Sequence, residues 1–136
     1  MSDFVNANVL IRLLTKDDPE KSRRALTLLQ EAERGERQLV TSEAVIAEVV
    51  YVLASRSLYR TPRPELVLRL RAVLGNRGLR LDHKDAVLRA LALYGSTNLH
   101  FVDCLCVAHV EREGLDGLYS YDRGLDGVPG LRRREP

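Results

Sequence analysis

Apolar and polar positions along this chain follow two periods in turn. The stretch Phe4-Val5-Asn6-Ala7-Asn8-Val9-Leu10 opens on β-formers, turns polar, then becomes an apolar run into Ile11, Leu13 and Leu14. That order predicts a short buried strand whose end carries side-chain oxygens, followed at once by a helix. Asp18-Pro19-Glu20 is a helix start: Asp18 can cap, Pro19 fits the first helical position and Glu20 complements the dipole. Ala25, Leu28, Leu29 and Ala32 recur at helical spacing until Gly35 stops the helix. Gln38-Leu39-Val40-Thr41 predicts a short strand, and Ser42 can cap a helix running through Val45, Val49, Val52 and Leu53 to about Arg56.

Ser57 to Arg63, with Tyr59, Thr61 and Pro62, reads as a turn. Pro64-Glu65 opens a helix with Leu66, Leu70, Val73 and Leu74 on one face and Gly75 beyond it. Leu79-Arg80-Leu81 alternates enough for a minimal strand, and Asp82 with Asp85 resembles a capping box for a helix ending near Tyr94-Gly95. A further helix covers Phe101 to Glu113 and is closed by Gly114. Leu118 to Tyr121 predicts a strand broken by Asp122-Arg123-Gly124, and a last short strand falls at Gly130 to Arg133. No linker, repeat or low-complexity block intervenes. Strands alternating with helices predict a single α/β domain over residues 1–136 with a mostly parallel central sheet. Ligands of such sheets bind beyond the carboxyl ends of the strands, so Asn6 and Asn8 are expected at the floor of any active site.

Composition changes this picture little. At 136 residues, 45% hydrophobic and 29% charged, the chain has the balance of a soluble globular protein with one core. No apolar run is long enough to span a bilayer and no charged-then-apolar leader precedes the first strand, so the expected location is cytoplasmic. Net charge is +2, but eighteen of the twenty-one basic residues are arginine. Arginine's planar fork suits phosphate, yet a GC-rich genome produces the same bias and carries more weight, so composition leaves the partner open. Cys104 and Cys106 point to opposite sides of a helix and read as buried free thiols rather than a pair or a chelate.

Three carboxylates do not fit their surroundings. Glu48 lies in the most apolar helix, with Ala44, Val45, Tyr51 and Val52 as helical neighbours; there it must be desolvated or meet a cation, for which an intramolecular arginine would serve. Asp103 sits two residues into the apolar run from Phe101 to Val107, where a capping role at the helix start is the plain alternative. Asp122 follows a strand directly, and alone it would be a turn residue. Together they point elsewhere, because a parallel sheet gathers strand ends and helix starts at one edge. Like charges converging there are tolerable around a divalent cation, and magnesium takes carboxylate oxygens and waters. Such an ion activates water and stabilises the leaving oxygen of a phosphodiester. His83, His100 and His109 are not ligand-spaced as a set and read as surface or packing residues.

Taken in order, these segments resemble the PIN-domain ribonucleases, especially the toxin subunits of VapBC toxin–antitoxin pairs. Phe4 to Leu10 is similar to the family's Asp-x-Asn at the end of its first strand. Val45-Ile46-Ala47-Glu48-Val49 resembles its second motif, Phe101-Val102-Asp103-Cys104-Leu105 its third, and Ser120-Tyr121-Asp122-Arg123 its fourth. Leu125 to Gly130 matches the usual ending of these toxins, so the resemblance covers essentially the whole chain.

The resemblance implies a PIN-like three-layer α/β/α sandwich and a Mg2+- or Mn2+-dependent endoribonuclease. It also implies a homodimer and a cognate antitoxin, and no membrane partner. By position it makes Asn6, Glu48, Asp103 and Asp122 the catalytic and metal-binding set. Asn8 and Ser120 become supporting polar groups, with Asp126 a weaker candidate. The departure is Asn6, where the family has aspartate. An amide oxygen can coordinate a metal but brings no charge. At an effective dielectric of about 20 that loss costs several kcal/mol, and each ~1.4 kcal/mol is tenfold in affinity.

The chain is therefore expected to be a disarmed or strongly weakened nuclease. A catalytically dead module that only holds RNA or a protein is the alternative, favoured by Asn6 and opposed by the placement of Glu48 in an apolar helix. A structure-specific DNA nuclease is a third class, opposed by the small size of the chain. A dimer would be served by the helices at Ala44 to Ala54 and Leu66 to Leu74, which carry more apolar residues than one face can bury.

Overall fold

The computed structural model describes residues 2–136, which divide into two units, the first ending at Lys84 and the second comprising Asp85–Pro136. The first unit is built on three parallel strands, β1 (Ser2–Phe4), β2 (Gln38–Thr41) and β3 (Leu79–Leu81), in the order β1-β2-β3. Phe4 is level with Val40, and Thr41 with Leu81. The parallel sense requires long crossovers, and each is a helix pair. These are α1 (Ala7–Leu14) with α2 (Pro19–Glu33), then α3 (Glu43–Ala54) with α4 (Arg63–Leu74). The carboxyl ends of all three strands therefore share one edge, where Val5, Ser42 and Asp82 follow them.

Local chemistry sets the helix ends. Asp18 accepts the Lys21 backbone N–H at 3.0 Å with Pro19 in the first turn, and Gly35 leaves α2 with φ +82°. Ser42 accepts the Val45 N–H at 3.3 Å at the start of α3. Leu10, Leu39, Ile46, Leu53, Leu66, Leu70 and Leu79 are fully buried. The Asn76 side chain ties the end of α2 to the entry of β3, donating to the Leu29 carbonyl at 2.8 Å and accepting from the Gly78 N–H at 2.9 Å.

The second unit contains α5 (Lys84–Ser96, its first residue closing the first unit), α6 (Phe101–Glu113), β4 (Leu118–Tyr119), a 3-10 turn at Arg123–Gly127 and β5 (Arg133–Arg134). β4 and β5 pair in parallel, Leu118 with Arg133 and Tyr119 with Arg134. Tyr94 meets Phe101 edge to face, with ring centroids 5.9 Å apart, across the turn between α5 and α6. Arg89–Glu111 at 2.8 Å and Arg112–Asp85 at 3.2 Å tie the two helices further along. Val87, Leu91, Cys104 and Leu125 fill the interior, and Cys106 is half-buried; neither cysteine is in a disulfide. Gly114 ends α6 in the left-handed region, as its position predicts. No helix of the described residues is long and apolar enough to cross a membrane.

The α/β class and the parallel strands are as expected; several boundaries differ. The first strand covers Ser2–Phe4 and is exposed along its length, whereas burial begins at Val5. β4 ends at Tyr119 rather than Tyr121, because the Ser120 and Asp122 side chains take up backbone N–H groups in a turn that replaces the ladder. β5 begins at Arg133 rather than Gly130, since Gly130 has φ +79°. The capping box at Asp82 does not form. His83, at φ +56°, stands directly before α5, and the Asp85 carboxylate is taken by Arg112.

Candidate functional site

In the first unit, Asn6 follows β1 and occupies the N-cap position of α1, with extended backbone (φ −82°, ψ 161°). Its position is fixed from the residue before it. The buried Val5 donates its N–H to the Val40 carbonyl at 2.8 Å and accepts the Thr41 hydroxyl on its own carbonyl at 3.1 Å. The Asn6 side chain makes no capping hydrogen bond, so its amide oxygen is available to a ligand at the carboxyl edge of the sheet. Asn8, expected at the strand end, is instead in the first turn of α1 and exposed.

Glu48 corrects the sequence reading. Ile46, Val49, Val50 and Leu53 form the buried face of α3, and Glu48 lies on the opposite stripe with Ala44 and Tyr51. It is exposed, not enclosed in the apolar stripe that the sequence suggests. Among the described residues it makes no hydrogen bond or ion pair. Apolar composition along α3 overstated the width of its buried face.

In the second unit, Asp103 lies in the first turn of α6, half-buried, where the helix dipole favours an anion. It too makes no hydrogen bond or ion pair among the described residues, so it is not the cap that its position allows. Asp122 and Ser120 are brought together. The Asp122 N–H donates to Ser120 Oγ at 3.0 Å, and Asp122 Oδ1 accepts the Gly124 N–H at 2.8 Å. Asp122 lines a hollow of about 480 Å3 together with Thr97, Asn98, His100 and Val128.

Asp126 is excluded as a free ligand because Arg133 binds it at 2.7 and 3.3 Å. That pairing holds the Asp126 carboxyl below the usual carboxylate range. Arg133 is the residue that the sequence reading missed. Its side chain is only 11% exposed and also reaches the Ser120 carbonyl at 2.9 Å and Glu135 at 3.0 Å. It thus clamps the segment carrying Ser120 and Asp122. The signal was Arg132-Arg133-Arg134 facing an Asp six to eight residues earlier, which composition alone disguises.

Glu48, Asp103 and Asp122 have no cation partner among the described residues, like Asp3, Asp82 and Asp116 and unlike Glu33, Glu111 and Asp126, each of which is matched to an arginine. Unneutralised carboxylates and an uncapped amide oxygen are oxygen donors of the kind that Mg2+ or Mn2+ takes. Within neither unit do three or more His, Cys, Asp or Glu side chains gather as a metal-holding group among the described residues. His83, His100 and His109 likewise form no such group.

A family model described as PIN domain matches residues 4–131. Over 134 residues, 96% of this chain and 97% of the relative, the chain is 29% identical to the VapC ribonuclease Mb1869c of Mycobacterium bovis. It is similar to the same extent to ribonuclease VapC13 of Mycobacterium tuberculosis.

Proposed function

We propose, from the premise that this chain belongs to the PIN-domain family, that it is a divalent-metal-dependent endoribonuclease of the VapC toxin type. The observation that carries this reading is that the three carboxylates at the family's motif positions, Glu48, Asp103 and Asp122, have no cation partner within an arginine-rich chain. The match also runs unbroken across Lys84 and Asp85, which supports treating residues 1–136 as one functional domain.

In this reading Asn6, Glu48, Asp103 and Asp122 would hold Mg2+ or Mn2+, which when bound would supply an activated water and charge neutralisation at the phosphodiester. The order of the four motifs along the chain supports taking them as one set. Ser120 orients Asp122 through its backbone N–H, Arg133 holds both in place, and Asn8 lends a polar group near Asn6. Asn6 brings an oxygen without a charge, so turnover by this chain is strongly reduced. That same residue favours the second reading, a catalytically silent module that binds RNA or protein.

A cognate antitoxin and a homodimer belong to the proposal. The exposed Tyr51 on α3 and Leu68 on α4 support an apolar contact with a second copy. The test is cleavage of a labelled single-stranded RNA with Mn2+ or Mg2+ by this chain, by Asn6→Asp, and by Asn6→Asp combined with Asp103→Asn. Cleavage is expected to rise by orders of magnitude in the first variant and to vanish in the double variant. Equal inactivity of all three, with RNA binding retained, establishes the silent module instead.

A further inference from the structure

We propose that the hollow between α1 and α2 seats the phosphate backbone of single-stranded RNA, leading the strand toward Asn6; this rests on the endoribonuclease reading above. The hollow measures about 440 Å3 and lies wholly within the first unit. One wall comes from α1, where Asn8 and Arg12 are one helical turn apart. The other comes from α2, where Lys21, Arg24 and Leu28 share a face. Asn8 is two residues from Asn6, so the hollow opens beside the first motif.

Its charge suits a polyanion. Arg12 gives no hydrogen bond to a carboxylate among the described residues. Lys21 reaches Asp18 only at 4.0 Å, and Arg24 meets Glu20 at 3.3 Å with three-quarters of its side chain exposed. Exposed pairs of this kind contribute little, so phosphate displaces the carboxylates at small cost. Cations on both walls meet a strand carrying a phosphate at every nucleotide, and arginine's fork binds such groups bidentately.

The apolar part of the lining is Val9, Ala25 and Leu28, and no aromatic side chain lines the hollow. A ribose or base edge can rest there, but no base stacks, so recognition is sequence-tolerant and affinity comes from phosphates. A concave seat also selects a strand that bends into it over a rigid duplex, whose phosphates reach only the rim.

The test uses the full chain, whose weak turnover leaves binding readable, with fluorescence anisotropy of a fluorescein-labelled mixed-sequence single-stranded RNA over a range of salt. Arg12→Gln, Lys21→Gln and Arg24→Gln are each expected to weaken binding several-fold and to lower the slope of log K against log salt by about 0.7. Arg71→Gln, an equal change of charge on the exposed surface of α4, is expected to leave both unchanged. Circular dichroism checks that each variant folds.

Unchanged slopes in the three variants overturn the seat while leaving the nuclease reading in place. Equally tight binding of a duplex of the same sequence overturns the single-strand assignment. A glutamate-rich peptide that binds more tightly than RNA, and is lost in the same three variants, makes the hollow a protein site instead. If neither this chain nor Asn6→Asp binds or cleaves RNA, it is the underlying nuclease reading that fails.

Discussion

The Thr41 hydroxyl donates a buried hydrogen bond of 3.1 Å to the Val5 carbonyl, and this contact between neighbouring parallel strands sets where Asn6 stands. Thr41→Val keeps the shape of the side chain and removes the donor, leaving a buried acceptor unpaired at a cost of about 1–3 kcal/mol. Urea unfolding should show that loss. In the Asn6→Asp background, RNA cleavage should fall further than stability alone explains. Wild-type cleavage in that double variant would mean that Thr41 does not position the first motif.

Gly78 lets the end of α2 close on the entry to β3. A Cβ there would stand 2.1 Å from the Ala32 carbonyl oxygen and 2.4 Å from its carbon, both backbone atoms that cannot swing aside. Gly78→Ala is expected to destabilise the chain by roughly 1–3 kcal/mol or more through overpacking. A denaturation midpoint unchanged from wild type would contradict this packing.

Which features the sequence disclosed follows from how local their causes are. Asp18-Pro19, Ser42 and Gly114 act on backbone groups within four residues, so the starts of α2 and α3 and the end of α6 could be read directly. β2 at Gln38–Thr41 and β3 at Leu79–Leu81 were equally legible, being short apolar runs between turn residues. Glu48 was misjudged because its exposure depends on which stripe of α3 meets the core, and an apolar helix does not announce that. Arg133 was invisible because its partners Asp126, Ser120 and Glu135 are chosen by the fold of the last turn and strand. The motif positions themselves were legible only by resemblance.

The Arg133–Asp126 clamp has a defined pH range. The hydrogen bonds from Arg133, helped by its charge, put the folded pKa of Asp126 below its unfolded value of about 3.9. Its contribution is therefore present above that unfolded value and is lost as pH falls through the lower folded value. Protection of the Ser120 amide, which donates to the Arg134 carbonyl at 3.0 Å, should persist at pH 5 and decline only in stronger acid. Asp126→Asn should lower protection already at neutral pH. A decline in wild type that begins well above the ordinary aspartate range would show that another group governs this segment.

Whether Asn6 is where a metal-dependent nuclease has lost a charge is answered by calorimetric titration of Mn2+ into this chain and into Asn6→Asp. Restoring one carboxylate beside a divalent ion should tighten binding by about tenfold for each ~1.4 kcal/mol regained, and Asp103→Asn should remove the gain. Indistinguishable, weak heats for this chain and Asn6→Asp would mean that position 6 does not hold a metal.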